Sequence, residues 1–309
     1  MVDFEKRWVE GAGGVKLAVH HLGGDGPPLL AVHATGFHGR CWWPLAAELT
    51  SRFAVWALDQ RGHGESGKDP TGTYDWELFA ADLLAVVDAL AGEKAGERPR
   101  AGGSGADDPR AGGPPPQRGT KWCAIGHSLG GAAILLAEAA RPGTFSAAVC
   151  YEPVVMPPEG LLVRRPNPLA DLARKRRPSF PSRQAALENY RSKPPFNRFH
   201  PEALEMYVAG GFVDQPDGSV TLACRREDEA ATFDSAPRAP VWERLPNVGA
   251  PVTVLAGAAS EDPLSHIAGE VADRLPAGRL RRFEHLDHFG PLTSPAEVGS
   301  VMASALPGA

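Results

Sequence analysis

Short apolar runs bounded by glycine and proline recur along the chain, and helical periodicity fills the gaps between many of them. Residues 15–20, 29–33, 53–58, 122–125 and 147–151 read as strands, and 251–256 and 280–283 as two later ones. Residues 76–90 carry Leu78, Phe79, Leu83, Leu84 and Val87 on one helical face, and the Ala/Leu-rich run 132–140 is a second helix. A terminal helix follows the last strand. Strands that are apolar throughout, alternating with helices, predict an α/β fold: a doubly wound, mostly parallel sheet covered on both faces.

Two stretches break this rhythm. Residues 91–120 are rich in Gly, Pro, Arg and Asp with almost no apolar content, so burial cannot offset their ordering entropy; they read as a disordered loop insertion. Residues 153–247 separate two core strands by far more than a crossover needs, which predicts an inserted, mainly helical cap. The organisation is then a core of residues 1–152 and 248–309 with a cap/lid at 153–247. Within the cap, 184–191 and 201–209 are helix-like, and Arg174-Lys175-Arg176-Arg177 reads as a solvated helix face, with an anion-binding patch as the alternative. Phe196, Phe199, Met206, Tyr207 and Phe212 suit either an apolar pocket wall or the core of the cap itself.

Composition narrows the function classes. The 309 residues carry a net charge of −5, which gives no basic footprint for nucleic acid, and no apolar run reaches the length of a membrane span. The charged start, Met1 to Arg7, lacks the apolar stretch of a secretory signal. Cys41, Cys123, Cys150 and Cys224 are scattered, so a cytoplasmic protein with free thiols is expected. The histidines show no metal-ligand spacing, and neither a metal nor a cofactor is expected.

The chemistry concentrates in Gly126-His127-Ser128-Leu129-Gly130-Gly131, between the strand 122–125 and the helix 132–140. A serine on such a strand-to-helix turn is forced into a strained conformation that exposes its hydroxyl. Glycines two residues to either side are needed where a Cβ would strike neighbouring backbone. The following helix aims its N–H groups and positive dipole end at the same place. Ser128 needs a base, and His288 follows the strand 280–283 in a short loop, last in the chain order nucleophile, acid, histidine. His285, its rival, falls at the strand's immediate exit.

These residues resemble the α/β-hydrolase superfamily across nearly the whole chain apart from the Gly/Pro insertion, most loosely in the cap. His33-Ala34-Thr35-Gly36-Phe37 looks like the family's His-Gly loop, with Ala34 where glycine is usual, and Asp59-Gln60-Arg61-Gly62-His63-Gly64-Glu65-Ser66 is similar to its Asp-x-Arg-Gly-x-Gly-x-Ser marker. The resemblance implies an oxyanion hole made by the backbone N–H groups of Thr35 and Leu129. It also exposes a departure. Relatives usually carry an aspartate three residues past a glycine after the strand 251–256, where this chain has Ser260; Glu261 and Asp262 stand one and two residues off. Glu152, closing the strand 147–151, is similar to the glutamate that haloalkane dehalogenases and resorcylic-macrolide lactonases use as their acid. We assign the acid to Glu152, with Asp262 or Glu261 as the alternative.

The resemblance implies a serine hydrolase of the esterase/lactonase kind, acting through an acyl-enzyme on a small-molecule ester or lactone, without nucleic acid, membrane or cofactor. A serine nucleophile argues against dehalogenase or epoxide-hydrolase chemistry, which needs aspartate there. Carbon–carbon bond hydrolysis, thioester hydrolysis and perhydrolysis remain alternatives on the same residues, as does a low-turnover ligand-binding or regulatory protein of the same fold.

Overall fold

The apolar runs become the central strands because both of their faces are covered. A computed structural model describes residues 4–92, 121–157, 167–259 and 263–307. Before the insertion come β1 (Glu5–Glu10), β2 (Lys16–Gly23), β3 (Pro28–Val32), β4 (Ala54–Leu58), β5 (Trp122–His127) and β6 (Phe145–Tyr151). Within it lie β7 (Ser179–Phe180), β8 (Phe212–Asp214) and β9 (Val220–Leu222), and after it β10 (Val252–Gly257) and β11 (Gly278–Phe283). The helices are α1 (Trp43–Ala46), α2 (Trp76–Gly92), α3 (Leu129–Ala140), α4 (Pro168–Arg174), α5 (Arg183–Arg191), α6 (Pro201–Gly211), α7 (Arg226–Ser235), α8 (Val241–Arg244), α9 (Pro263–Arg274), α10 (Gly290–Thr293) and α11 (Pro295–Ala305).

Eight strands form one sheet in the order β1-β2-β4-β3-β5-β6-β10-β11, antiparallel at the β1–β2 and β2–β4 pairs and parallel from β4 onward. Alternation along β3 shows how both faces are used. Leu30 and Val32 pack with α2, α3 and α9, whereas Leu29 and Ala31 pack with α1 and α11. The chain steps from β3 to β4 on one side, then crosses to β5 on the other side of β3. Connections therefore diverge beyond the carboxyl ends of β3 and β5, and a crevice opens there.

Several details differ from the sequence expectation. Residues 1–7 read only as a charged start, yet 5–10 form β1; an edge strand needs ladder hydrogen bonds more than apolar content, and Trp8 stays 43% exposed. Helix α3 begins at Leu129 rather than 132, because Gly130 and Gly131 belong to its first turn. The helix α9 was not anticipated. Of the loop insertion expected at 91–120, Ala91 and Gly92 instead continue α2, and the rest lies outside the described residues.

The described part of 153–247 is not purely helical: α4 to α8 are joined by a small antiparallel sheet ordered β7-β9-β8. Its core of Phe180, Tyr190, Phe199, Tyr207 and Phe212 is continuous with Ala34, Phe37 and Leu292 from the loops of the main sheet. The basic run is also not one solvated face. Arg174 ends α4 and pairs with Asp171 and Asp234 at the surface. Arg176 lies past the helix end and turns inward to Glu229, Tyr190 and Tyr207.

Candidate active site

The crevice beyond β3 and β5 is where the predicted residues collect. Ser128 sits between β5 and α3 with φ 56° and ψ −117°, a left-handed φ that a non-glycine residue holds only under strain. The strain is over-determined by its surroundings. Ser128 N–H donates to the Tyr151 carbonyl at 3.0 Å, and the Ser128 carbonyl accepts from Ala132 N–H at 3.1 Å and Val154 N–H at 3.2 Å. The flanking glycines are sterically required: a Cβ on Gly126 would lie 2.6 Å from Gly131 N, and one on Gly130 would lie 2.1 Å from the Val32 carbonyl oxygen. That second contact seats the start of α3 directly on the end of β3.

This packing brings Leu129 to the loop after β3. There a turn is closed by Phe37 N–H donating to the Ala34 carbonyl at 3.2 Å, with Gly36 at φ +82° as the turn requires. Thr35, 8% exposed, occupies the turn beside Gly36, and its amide and that of Leu129 donate to no other protein group among the described residues.

His288 lies in the loop between β11 and α10. Its Nδ1–H donates to Glu152 Oε2 at 2.7 Å, and Gly257 N–H donates to Glu152 Oε1 at 2.8 Å. Glu152 is fully buried at the end of β6 with φ 39°, and its N–H donates to the Leu255 carbonyl at 2.8 Å. Both oxygens of the carboxylate therefore have partners, which a buried charge demands. The Nδ1–H bond fixes the imidazole tautomer and leaves Nε2 as the basic nitrogen. Neither Nε2 nor the Ser128 hydroxyl is taken by a hydrogen bond among the described residues. His285 instead stands at the surface against Glu297, at 3.0 Å. The alternative acids, Glu261 and Asp262, lie outside the described residues.

Three features were not legible from single residues. His127 and Tyr151, at the ends of β5 and β6, reach the backbone of the His288 loop: His127 Nε2–H donates to the His288 carbonyl at 2.8 Å and Tyr151 O–H to that of Asp287 at 2.7 Å. The inserted residues bear on the same loop through Arg198 paired with Asp287 at 2.7 Å, and on the following α10 through His200 N–H donating to the Leu292 carbonyl at 2.9 Å. Finally, Phe199 stands 5.5 Å from Phe289 and 6.2 Å from Phe37, and Tyr207 stands 5.2 Å from Phe37, ring centre to ring centre. Beside them the Glu229–Arg176 pair abuts Gly36, where a Cβ would meet Glu229 Oε1 at 2.6 Å.

The buried histidines around the crevice are neutral. Burial depresses His33 to about 3 and His38 to about 4. His127 is held well below its ordinary value by burial and then by the neighbouring His288. A chamber of about 10 Å³ beside His127 is lined also by His33, Ala34, Phe37, Cys41 and Trp42, and not by Ser128, Glu152 or His288. A cleft of about 920 Å³ lies elsewhere, between β1, the loop after β4 and the small inserted sheet, and none of Ser128, Glu152 or His288 lines it. Its walls pair most of their charges with one another, as in Arg40–Glu65 and Arg183–Asp214, so its size alone does not make it the reaction site.

The comparisons agree with the fold. Over residues 29–301 the chain matches the model of the alpha/beta hydrolase family. It is 30% identical over 172 residues to mouse (Mus musculus) protein phosphatase methylesterase 1, an alignment covering 55% of this chain; the chain thus spans only 38% of that relative's length. The solved structure of E-2-(acetamidomethylene)succinate hydrolase superposes with a TM-score of 0.74 at 20% identity, covering 98% of each chain. A thioesterase domain from the curacin biosynthetic pathway superposes with a TM-score of 0.71 at 18% identity, covering 97% of this chain and 99% of the other. With most of its length under the family model and the sheet topology to match, this chain belongs to the alpha/beta hydrolase family.

Proposed function

We propose that the chain is a serine hydrolase that cleaves a carboxylic ester or lactone through an acyl-enzyme on Ser128. The observation that carries this reading is the 2.7 Å bond from His288 Nδ1–H to the buried Glu152, which fixes the base in its reactive tautomer next to a strained serine. In this reading His288 Nε2 takes the Ser128 hydroxyl proton as Oγ bonds to the substrate carbonyl carbon. The oxyanion is held by the amides of Thr35 and Leu129 while Glu152 stabilises the imidazolium. His288 then protonates the leaving alkoxide as the carbon–oxygen bond breaks. A water deprotonated by the same nitrogen attacks the acyl-enzyme, and Ser128 recovers its proton as the acid departs.

Residues 153–247 act as a cap over the core of 1–152 and 248–309 in this proposal. The packed rings of Phe37, Phe199 and Phe289 stand between the inserted residues and the His33 and His288 loops, where a substrate would enter in this reading. Their apolar surfaces favour an acyl or alcohol group of moderate size. The name of the mouse relative supports ester chemistry. The two structural neighbours, at 20% and 18% identity, support the fold alone. The four free, buried cysteines support a cytoplasmic setting.

The test is covalent labelling of wild type and Ser128→Ala by a fluorophosphonate, followed by turnover of a panel of p-nitrophenyl esters, lactones and thioesters. Labelling of wild type only, with ester or lactone turnover, is expected. Absence of both labelling and turnover refutes the hydrolase reading in favour of a ligand-binding one, and turnover confined to thioesters replaces the substrate class.

A further inference from the structure

Building on the hydrolase reading, we infer that His127, the residue before the nucleophile, is a positioning residue for His288, working with Tyr151 to fix the backbone that carries the base. Residues 127 and 151 are register partners across β5 and β6, and their rings meet edge-on at 5.9 Å. Each donates to one of two consecutive carbonyls: Tyr151 O–H to Asp287 at 2.7 Å, and His127 Nε2–H to His288 at 2.8 Å. The loop rests on the strand ends so closely that a Cβ on Gly290 would lie 2.2 Å from the Tyr151 hydroxyl, and one on Gly257 would lie 2.3 Å from the Leu286 carbonyl oxygen. The carbonyls of residues 286, 287 and 288 are thus each fixed against the end of a different core strand, β10, β6 and β5.

His288 is therefore held at two levels, its ring by Glu152 and its main chain by His127 and Tyr151. The His127 ring also lies 4.9 Å from the His288 ring, so it forms part of the wall against which the imidazole stands. Both donors keep their protons in the form this role needs. His127 is 3% exposed and neutral, so it presents one N–H, and burial pushes the Tyr151 phenol up so that it stays protonated. A cationic His127 would repel the imidazolium that forms during catalysis; a neutral one binds the loop without that penalty. One residue thereby ties the nucleophile turn to the base loop, although they are far apart in sequence.

The discriminating substitutions are His127→Gln and His127→Asn. The glutamine amide nitrogen reaches the place of Nε2, whereas the asparagine amide falls short of it. With a p-nitrophenyl ester, His127→Asn is expected to lower kcat about 10- to 100-fold with KM changed less than about 3-fold, the size of loss that a displacement of about 1 Å in a catalytic group produces. His127→Gln is expected to stay within about 5-fold of wild type, and Tyr151→Phe to fall between the two. Thermal melts of all variants separate this from loss of fold. Equal kcat in the Gln and Asn variants, or losses that appear in KM alone, would overturn the positioning role while wild-type labelling at Ser128 kept the hydrolase reading intact. A wild type that fluorophosphonate leaves unlabelled refutes that reading, and the inference falls with it. Should His127→Asn fail to fold, Tyr151→Phe decides: unchanged kcat refutes the clamp.

Discussion

The two sides of the crevice are built on different principles. Its floor, from the ends of β3, β5, β6 and β10, is main-chain geometry: a strained serine, glycines that tolerate no Cβ, and a buried carboxylate with both oxygens paired. Its roof, from the inserted residues, is side-chain packing of Phe196, Phe199, Tyr190 and Tyr207, with the Arg176–Glu229 pair set among them. Errors in the floor displace reacting atoms. Rotation or replacement of a roof ring changes the shape of a space. In the proposed reading the floor sets the reaction and the roof sets what enters, so the largest losses of turnover belong below and the largest changes of preference above.

Glu152→Gln gives the sharpest test of the floor. The amide keeps the shape but can orient its NH₂ toward His288 Nδ1, which favours the wrong tautomer and removes the charge that stabilises the imidazolium. Turnover should fall about 10³- to 10⁴-fold, equivalent to about 4 to 5.5 kcal/mol of barrier, with KM nearly unchanged. Glu261→Gln and Asp262→Asn should keep kcat within about 3-fold. The reverse pattern in ester kinetics would transfer the acid to the loop after β10 and leave Glu152 as a structural carboxylate for Gly257 N–H.

Acid is the next way to separate floor from roof. His33 and His38 are buried as neutral imidazoles at about 3 and about 4, against about 6.5 in an unfolded chain. On unfolding each would take up a proton wherever the pH lies between those values, so their stabilising contribution is complete above about pH 6.5 and is lost as pH falls. Each adds up to about 1.4 kcal/mol per pH unit to that loss. His127 and His63, also lowered by burial, act in the same direction. The single histidine of residues 153–247, His200, is exposed. Urea denaturation at pH 7, 6 and 5 should show His33 and His38 together lowering stability by about 1 to 1.5 kcal/mol from pH 7 to 6 and by about 2 to 2.5 kcal/mol from pH 6 to 5. A flat profile would mean that these rings are protonated or solvated in the native protein.

The same contrast explains what was legible in the sequence. The floor announces itself locally: Gly126, Ser128 and Gly130 are neighbours in the chain, their spacing is dictated by backbone contact, and apolar strands flank them. His288 and Glu152 could be singled out because each closes or follows such a strand. The roof has no local signature. Arg176 was read as part of a solvated face because its partners Glu229, Tyr190 and Tyr207 are distant in sequence, and only tertiary packing turns it inward. His127 was legible as part of the elbow but not as a donor, since its acceptor is a main-chain carbonyl that any residue at 288 would supply. The edge strand β1 was missed for a related reason, because hydrogen bonding to β2 leaves little apolar pattern.

The smallest effect concerns the seam where the roof touches the base loop. Arg198 pairs with Asp287, one residue before His288, and its side chain is 59% exposed. Exposed ion pairs contribute about 0.2 to 1 kcal/mol and weaken with salt. The Asp287 main chain is already held by Tyr151 O–H and by Gly290 N–H, and its Oδ1 accepts from Phe289 N–H at 2.9 Å. Arg198→Gln should therefore cost less than about 1 kcal/mol in a thermal melt and lower kcat less than about 3-fold, with the difference from wild type shrinking in 0.5 M salt. A loss of kcat as large as that of His127→Asn, persisting at high salt, would mean that the roof also positions the base. Entry of substrate beneath the inserted residues and assembly of the catalytic geometry would then be one coupled event, and the division between floor and roof would fail.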